Sequence, residues 1–283
     1  VGMQAGCDIA AGAYNTLLGH CAGTNLTSGN SNVMLGHGAG QNGATTGHGN
    51  TFLGSYAAKA VTSGQCNTSI GRCTLNCLQT GSHNIASGWH AGNDLVSGEY
   101  NVLLGYRAGT DTTGSRNLYL GKDAALFNVS GDYNIALGTL SLRGTEGSAN
   151  GSCNIGIGRY TGRSTTTGNH NVLLGDCAGF GITTAAETIA LGKEVFTTCG
   201  LTGEQNIGLG CRVGCKMTSG TQNIMLGSRV MANDVVTGGY NIALGYHVLL
   251  DATSASCNIA MGRQAGQNIT TGAQNIFLGS NAG

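Results

Sequence analysis

The sequence predicts an all-β fold, a parallel β-roll or β-solenoid of about sixteen 17-residue coils running through residues 1–283 as one continuous array. Three observations predict it: a recurring Asn-[Ile/Val]-x-[Leu/Ile]-Gly motif, a glycine that never leaves its place in that motif, and a composition without proline. The asparagines are Asn15, Asn32, Asn50, Asn67, Asn84, Asn101, Asn117, Asn134, Asn154, Asn171, Asn206, Asn223, Asn241, Asn258 and Asn275, almost always 17 apart. Thr188 stands where one Asn is missing, and Ile189, Leu191 and Gly192 keep the phase. The column reads as an Asn ladder at a corner, each side-chain amide bonding its equivalent in the next coil.

Counting from Asn as zero, Gly holds the fourth position in all sixteen repeats, from Gly19 to Gly279, as a backbone corner with positive φ would require. A second Gly recurs at the eighth position and a third at the fourteenth, which implies three corners and one closed coil per repeat. An average chain of this length would carry roughly 14 prolines. Their absence suits strands hydrogen-bonded on both sides.

The first and third positions are apolar in nearly every repeat, as in Ile135 and Leu137, a period-two pattern that predicts a strand with these two columns inside the coil. Small residues at the seventh position, such as Ala22, Ala91 and Ala178, fit the interior beside a tight turn. The second position is apolar as well. Leu17, Met34, Phe52, Leu103, Tyr119, Leu173, Met225 and Phe277 are therefore expected on the outer face, where coils about 4.8 Å apart would make an apolar stripe of roughly 75–80 Å. A stripe of that size needs a partner surface, so this column is read as the axis of a homotrimer.

Repeats such as Asn241–Gly245 (NIALG), Asn101–Gly109 (NVLLGYRAG) and Asn258–Gly272 (NIAMGRQAGQNITTG) resemble the YadA-like head repeat of trimeric autotransporter adhesins. They are also similar to the related repeats of phage and large-virus tail fibres. The resemblance extends over all 283 residues. It implies a left-handed parallel β-roll, three chains about one axis, a role in attachment, and an extracellular or virion-surface location. The 17-residue repeat, and Asn where the adhesins often carry Ser, favour the fibre branch. Val1 and Gly2 fall in phase with a preceding repeat and Gly283 with a following one, so the array is expected to be cut mid-repeat at both ends.

The fifth and sixth positions vary most and carry Tyr56, Arg72, Trp89, His90, Tyr106, Arg107, Arg159, Tyr160, Arg212, Arg229, Tyr246, His247 and Arg263. Of these, Trp89, Tyr106, Arg107, Arg159, Tyr160 and Tyr246 are the candidates for gripping a host-surface glycan or protein receptor. A row that stacks and bonds within the fibre is the competing structural reading. The bulge of the 20-residue repeat from Asn134, with Thr145, Glu146, Gly147 and Ser148, is a second place for such contact.

No enzyme is expected. Asp94 and Asp111 share the tenth position of consecutive coils, at a separation near that of a retaining glycosidase pair, but no partner base or aromatic platform recurs beside them. His20 and His37 should stack at ~5 Å as a plain imidazole pair. Eleven cysteines scatter over several columns, and C-x-x-C spacing is missing; they read as small turn residues, without a metal or other cofactor. Thirteen basic residues balance thirteen acidic ones with no basic stripe, which argues against nucleic acid. No apolar run points to membrane insertion. Two alternatives to the trimeric fibre remain: a single-chain solenoid stacking into an extracellular filament, and an ice-binding solenoid, for which Thr45-Thr46, Thr112-Thr113, Thr166-Thr167, Thr183-Thr184 and Thr270-Thr271 are the motif.

Overall fold

The structure, a computed structural model, describes residues 1–198 and 200–283; Cys199, one of the eleven cysteines, lies outside the described residues. The chain is all-β, a β-solenoid with one short parallel strand per coil, and has no helix among the described residues. Contacts divide it into two compact units, Val1–Leu137 and Gly138–Gly283. The N-terminal unit holds β1 (Thr16–Leu18), β2 (Val33–Leu35), β3 (Thr51–Leu53), β4 (Thr68–Ile70), β5 (Ile85–Ser87), β6 (Val102–Leu104), β7 (Leu118–Leu120) and β8 (Ile135–Leu137). The C-terminal unit holds β9 (Ile155–Ile157), β10 (Val172–Leu174), β11 (Ile189–Lys193), β12 (Ile207–Cys211), β13 (Ile224–Ser228), β14 (Ile242–Tyr246), β15 (Ile259–Met261) and β16 (Ile276–Leu278).

Within each unit, neighbouring strands pair in parallel with equivalent positions in register, as in Val102↔Leu118, Leu103↔Tyr119 and Leu104↔Leu120. Every position of the repeat therefore becomes a column. The Asn column forms the expected ladder. Asn50 donates its backbone N–H and its Nδ2 to Asn32 Oδ1 at 2.9 and 3.1 Å, and Nδ2 also donates to Gly64 O at 2.9 Å. One side chain thus ties its coil to the preceding one and its own Asn corner to the third glycine corner. Buried amides satisfied this way avoid a desolvation cost of ~1–3 kcal/mol per orphaned group.

The fourth-position glycines take φ between +115° and +141°. At Gly105, where φ is +138°, an added Cβ would sit 2.4 Å from Gly121 O of the next coil, so both conformation and space demand glycine. The seventh-position alanines, including Ala22, Ala91, Ala108 and Ala178, are fully buried as expected.

The expected assignment of strand faces is inverted. Met34, Phe52, Leu103, Tyr119, Leu173 and Met225 are wholly buried inside their own coils, and Leu17 and Phe277 of the end coils are half-buried in the same column. A side chain with no exposure in a single chain cannot meet another chain, so the second position is not a trimer axis. The first and third positions point outward and are half-buried or exposed, with Ile85 at 45% and Leu120 at 46%. Strand parity explains the inversion: Asn at zero, the second position and Gly at four share one face, and the buried Asn ladder makes that face the inside.

The interior is completed by the eleventh position, absent from the sequence reading, and by the eighth, read there only as a glycine corner. The eleventh position contributes Leu26, Val61, Leu78, Leu95, Ile182 and Met217, all fully buried. The eighth position trades volume with the second. It is Gly beside bulky neighbours: an added Cβ at Gly92 would lie 2.6 Å from Leu103 Cδ1, and at Gly109 2.8 Å from Tyr119 Cδ2. Leu75, Leu142, Phe196 and Leu249 fill the eighth position of coils whose second residue is small (Ser69, Ala136, Ala190, Ala243), and Leu142 and Phe196 also reach the second-position glycines of the following coils, Gly156 and Gly208. These four take left-handed φ of 44–52°. That conformation costs an L-residue ~1–2 kcal/mol, which burial of a large apolar side chain, worth ~1.5–3 kcal/mol, offsets.

Candidate functional site

From the residue before Asn to the fifth position, alternate side chains point outward, so each coil offers four outer columns. The central two, the first and third positions, carry Val33 and Leu35, Val102 and Leu104, Leu118 and Leu120, or Ile189 and Leu191. The flanking two are polar and aromatic. Before Asn, the N-terminal unit carries His83, Tyr100, Arg116 and Tyr133: His83 and Tyr100 stack at 4.8 Å, and the Arg116 guanidinium lies 5.7 and 5.4 Å from the Tyr100 and Tyr133 ring centres. At the fifth position Trp89 and Tyr106 stack at 4.9 Å with Lys122 Nζ 5.8 Å from the Tyr106 ring. In the C-terminal unit the residue before Asn is mostly polar, and Gln205 Nε2 donates to Glu187 Oε2 at 2.9 Å.

The residues before Asn and at the sixth position take left-handed φ although most are not glycine: Tyr100 58°, Tyr133 57°, His90 56°, Arg107 52°, Tyr160 59°. Strain of this kind at one isolated residue would point to a functional site. Repeated in coil after coil, it is the geometry of the solenoid corner.

The six residues singled out for surface binding fall into two groups. Trp89, Tyr106 and Arg107 come together in the N-terminal unit. Trp89 is 38% and Tyr106 44% exposed. Their rings face each other, His90 lies 3.9 Å from Trp89, and Arg107 lies 5.3 Å from Tyr106. With the faces occupied, the pair offers ring edges, not the open aromatic platform on which a sugar stacks. Arg107 Nε also donates to the buried Asp123 carboxylate at 2.7 Å, and that bond raises the guanidinium pKa. In the C-terminal unit Arg159 grips Asp176 with Nε and Nη2 at 2.9 and 3.1 Å, which lowers the Asp176 pKa. Tyr160 meets Phe180 edge-on at 6.4 Å, and Tyr246 lies five coils further along, stacked on His247 at 3.9 Å.

His20 and His37 stack at 5.2 Å, close to expectation, and no group of three His, Cys, Asp or Glu side chains among the described residues could hold a metal ion. Asp94 accepts from Asn93 Nδ2 at 2.5 Å and from Cys77 Sγ at 3.8 Å. The ten described cysteines are free thiols. Burial raises the pKa of Cys77, Cys177 and Cys215 and keeps them protonated. The bulge residues Thr145, Glu146 and Gly147 are exposed.

A hydroxyl ladder at the twelfth position went unrecognised in the sequence. Thr113 Oγ1 donates to Val129 O at 2.8 Å, Thr166 to Thr183 O at 3.1 Å, Thr183 to Leu201 O at 3.1 Å and Thr253 to Thr270 O at 2.9 Å. Thr45 Oγ1 likewise donates to Val61 O at 3.1 Å, so in four of the five Thr pairs one hydroxyl is engaged in holding coils together, which works against the free, regular array that ice recognition needs. The signal was present as Thr recurring twelve residues after Asn, from Thr27 to Thr270. No helix is long and apolar enough to cross a membrane among the described residues. Comparison with protein-family models, with curated proteins and with solved structures returns no match.

Proposed function

We propose that this chain is a non-enzymatic structural segment of an extracellular or virion fibre, such as a tail fibre or cell-surface adhesin. It assembles as a homotrimer through the outer strand face and serves as a rigid shaft that can also present a receptor-binding surface. The observation that carries the reading is the composition of that face: two apolar columns in the middle, with Tyr, Trp, His and Arg along the margins in the N-terminal unit. Apolar centres with aromatic and Arg-rich surroundings are the pattern of protein interfaces, and burying apolar surface contributes ~25 cal/mol per Å². The number three comes from the resemblance to trimeric head repeats. The axis moves from the second position to the first and third. Ladders of Asn and Thr side chains between coils supply stiffness.

The test is the solution mass of the chain by sedimentation and light scattering, wild type against the double variant Leu104→Lys/Leu120→Lys. Both residues lie in the outer third-position column, so the coil itself should fold unchanged. A wild-type mass of three chains that falls to one in the variant is the expected result. A wild type that stays monomeric at high concentration sinks the reading.

A further inference from the structure

We propose that a groove in the C-terminal unit binds one anionic sugar residue, its carboxylate or sulfate ester held by Arg212 and Arg229. The groove has a volume of about 290 Å³ and is lined by Glu194, Thr197, Arg212, Cys215, Arg229, Ala232 and Asn233. It runs between the sixth-position column, which supplies Glu194, Arg212 and Arg229 from three consecutive coils, and the ninth, which supplies Thr197, Cys215 and Ala232. That volume lies just below the ~300–1,000 Å³ of small-molecule sites, room for a single sugar ring.

Free charge and position in the groove together mark Arg229. Arg107, Arg159 and Arg212 are each paired with a carboxylate, on Asp123, Asp176 and Glu194 respectively. Arg116 and Arg163 lie over aromatic rings. Arg72, Arg229 and Arg263 have neither kind of partner among the described residues, and of these three Arg229 alone lines this groove. Its neighbour Arg212 bonds Glu194 Oε2 through Nε at 2.7 Å, which balances the one carboxylate of the groove. The floor adds no charge, because the Cys215 thiol donates to Ala232 O at 3.2 Å and is kept protonated by burial. Close by, Lys216 Nζ donates to Asn233 O, while Asp251 is engaged by Asn233 Nδ2 at 2.8 Å. Guanidinium groups hold carboxylate and sulfate oxygens through charge-assisted bonds. With the Thr197 hydroxyl donating to Cys215 O at 3.3 Å and the Asn233 amide nitrogen given to Asp251, the walls offer Thr197 Oγ1 and Asn233 Oδ1 as neutral acceptors for ring hydroxyls.

The site depends on side chains beyond the glycine corner and not on the trimer, whose mass is a separate readout. Calorimetric titration of the full chain with methyl glucuronide, glucose 6-sulfate, methyl glucoside and inorganic sulfate tests it. Expected is binding of at least one anionic sugar about tenfold or more tighter than of either methyl glucoside or sulfate. That binding should weaken about tenfold in Arg229→Gln and hold in Arg72→Gln, an exposed arginine outside the groove. Binding of the carboxylate sugar, the sulfate sugar or both identifies the source of the anion. Failure of both sugars to bind, equal binding of methyl glucoside or of the bare ion, or indifference to Arg229→Gln overturns the proposal.

Discussion

Leu103 and Leu104 are adjacent, identical in chemistry and opposite in fate. Leu103 is sealed inside its coil against Gly92 and Gly109, while Leu104 lies on the outer face beside Val102 and Leu120. Hydrophobicity cannot separate them, since a strand buried on one face and covered on the other by a partner reads apolar at every position. Volume can. The inner column ranges from Gly156 and Gly208 to Tyr119 and Phe52, compensated at the eighth position, whereas the outer columns keep to Ile, Val and Leu with few exceptions. Variation in size marks the enclosed space. Monotony marks a surface that repeats along an axis.

Substituting the two leucines gives the largest contrast. Leu103→Ala removes packing between two coils and should cost ~2–5 kcal/mol, and Leu103→Lys more, because the ammonium has no water and no partner. Leu104→Lys should change the stability of the isolated chain by no more than ~0.5 kcal/mol. Because a solenoid can open one coil at a time, amide hydrogen exchange around residues 84–125 is the appropriate measurement. Equal loss of protection in the two variants would mean that the faces are assigned wrongly.

The Asn column makes the inside of the strand polar at its start, and Asn101→Ala probes it. Asn101 Nδ2 donates to Asn84 Oδ1 and Gly114 O at 3.0 and 2.9 Å, and its Oδ1 accepts the Asn117 N–H at 3.0 Å. Alanine would leave the Asn117 N–H and the Gly114 carbonyl without these bonds in a buried corner, at ~2–6 kcal/mol for the pair. Loss of exchange protection at the Asn117 amide, with the outer columns intact, is the expected signature. Retained protection there would show that the ladder is decoration.

Much of this was legible in the sequence. Asn15 to Asn275 announced a ladder, Gly19 to Gly279 announced corners, and Ala91 or Ala108 announced a narrow interior, because each meets a backbone constraint that few residues satisfy. The strand faces were misread although the information was there: a buried Asn column fixes the parity of Leu103. Leu78 and Leu95 were overlooked because each lies in a mostly polar stretch, Asn76–Thr80 and Asn93–Ser97, without an alternating apolar neighbour inside its own coil. Their period is the coil itself. The groove at Arg229 was beyond sequence reading, since it depends on which arginines find carboxylates in neighbouring coils.

The smallest effect is expected at the natural gap in the ladder. Thr188 is buried, and its N–H donates to Asn171 Oδ1 at 3.0 Å, as an Asn would, but its hydroxyl turns back to Ala186 O at 3.2 Å. Among the described residues no acceptor meets the Asn206 N–H. Asn206 Nδ2 bonds instead to Gly203 O, Glu204 O and Gly220 O, at 3.2, 3.2 and 2.8 Å. Thr188→Asn would restore a rung by offering Oδ1 to Asn206, a gain of ~1 kcal/mol, to be read as slower exchange at Asn206. The gain should be confined to the coils on either side, because each rung touches only its neighbours. A substitution that destabilised instead would mean that this coil is shaped around threonine, and that the ladder's regularity elsewhere does not extend to its one exception.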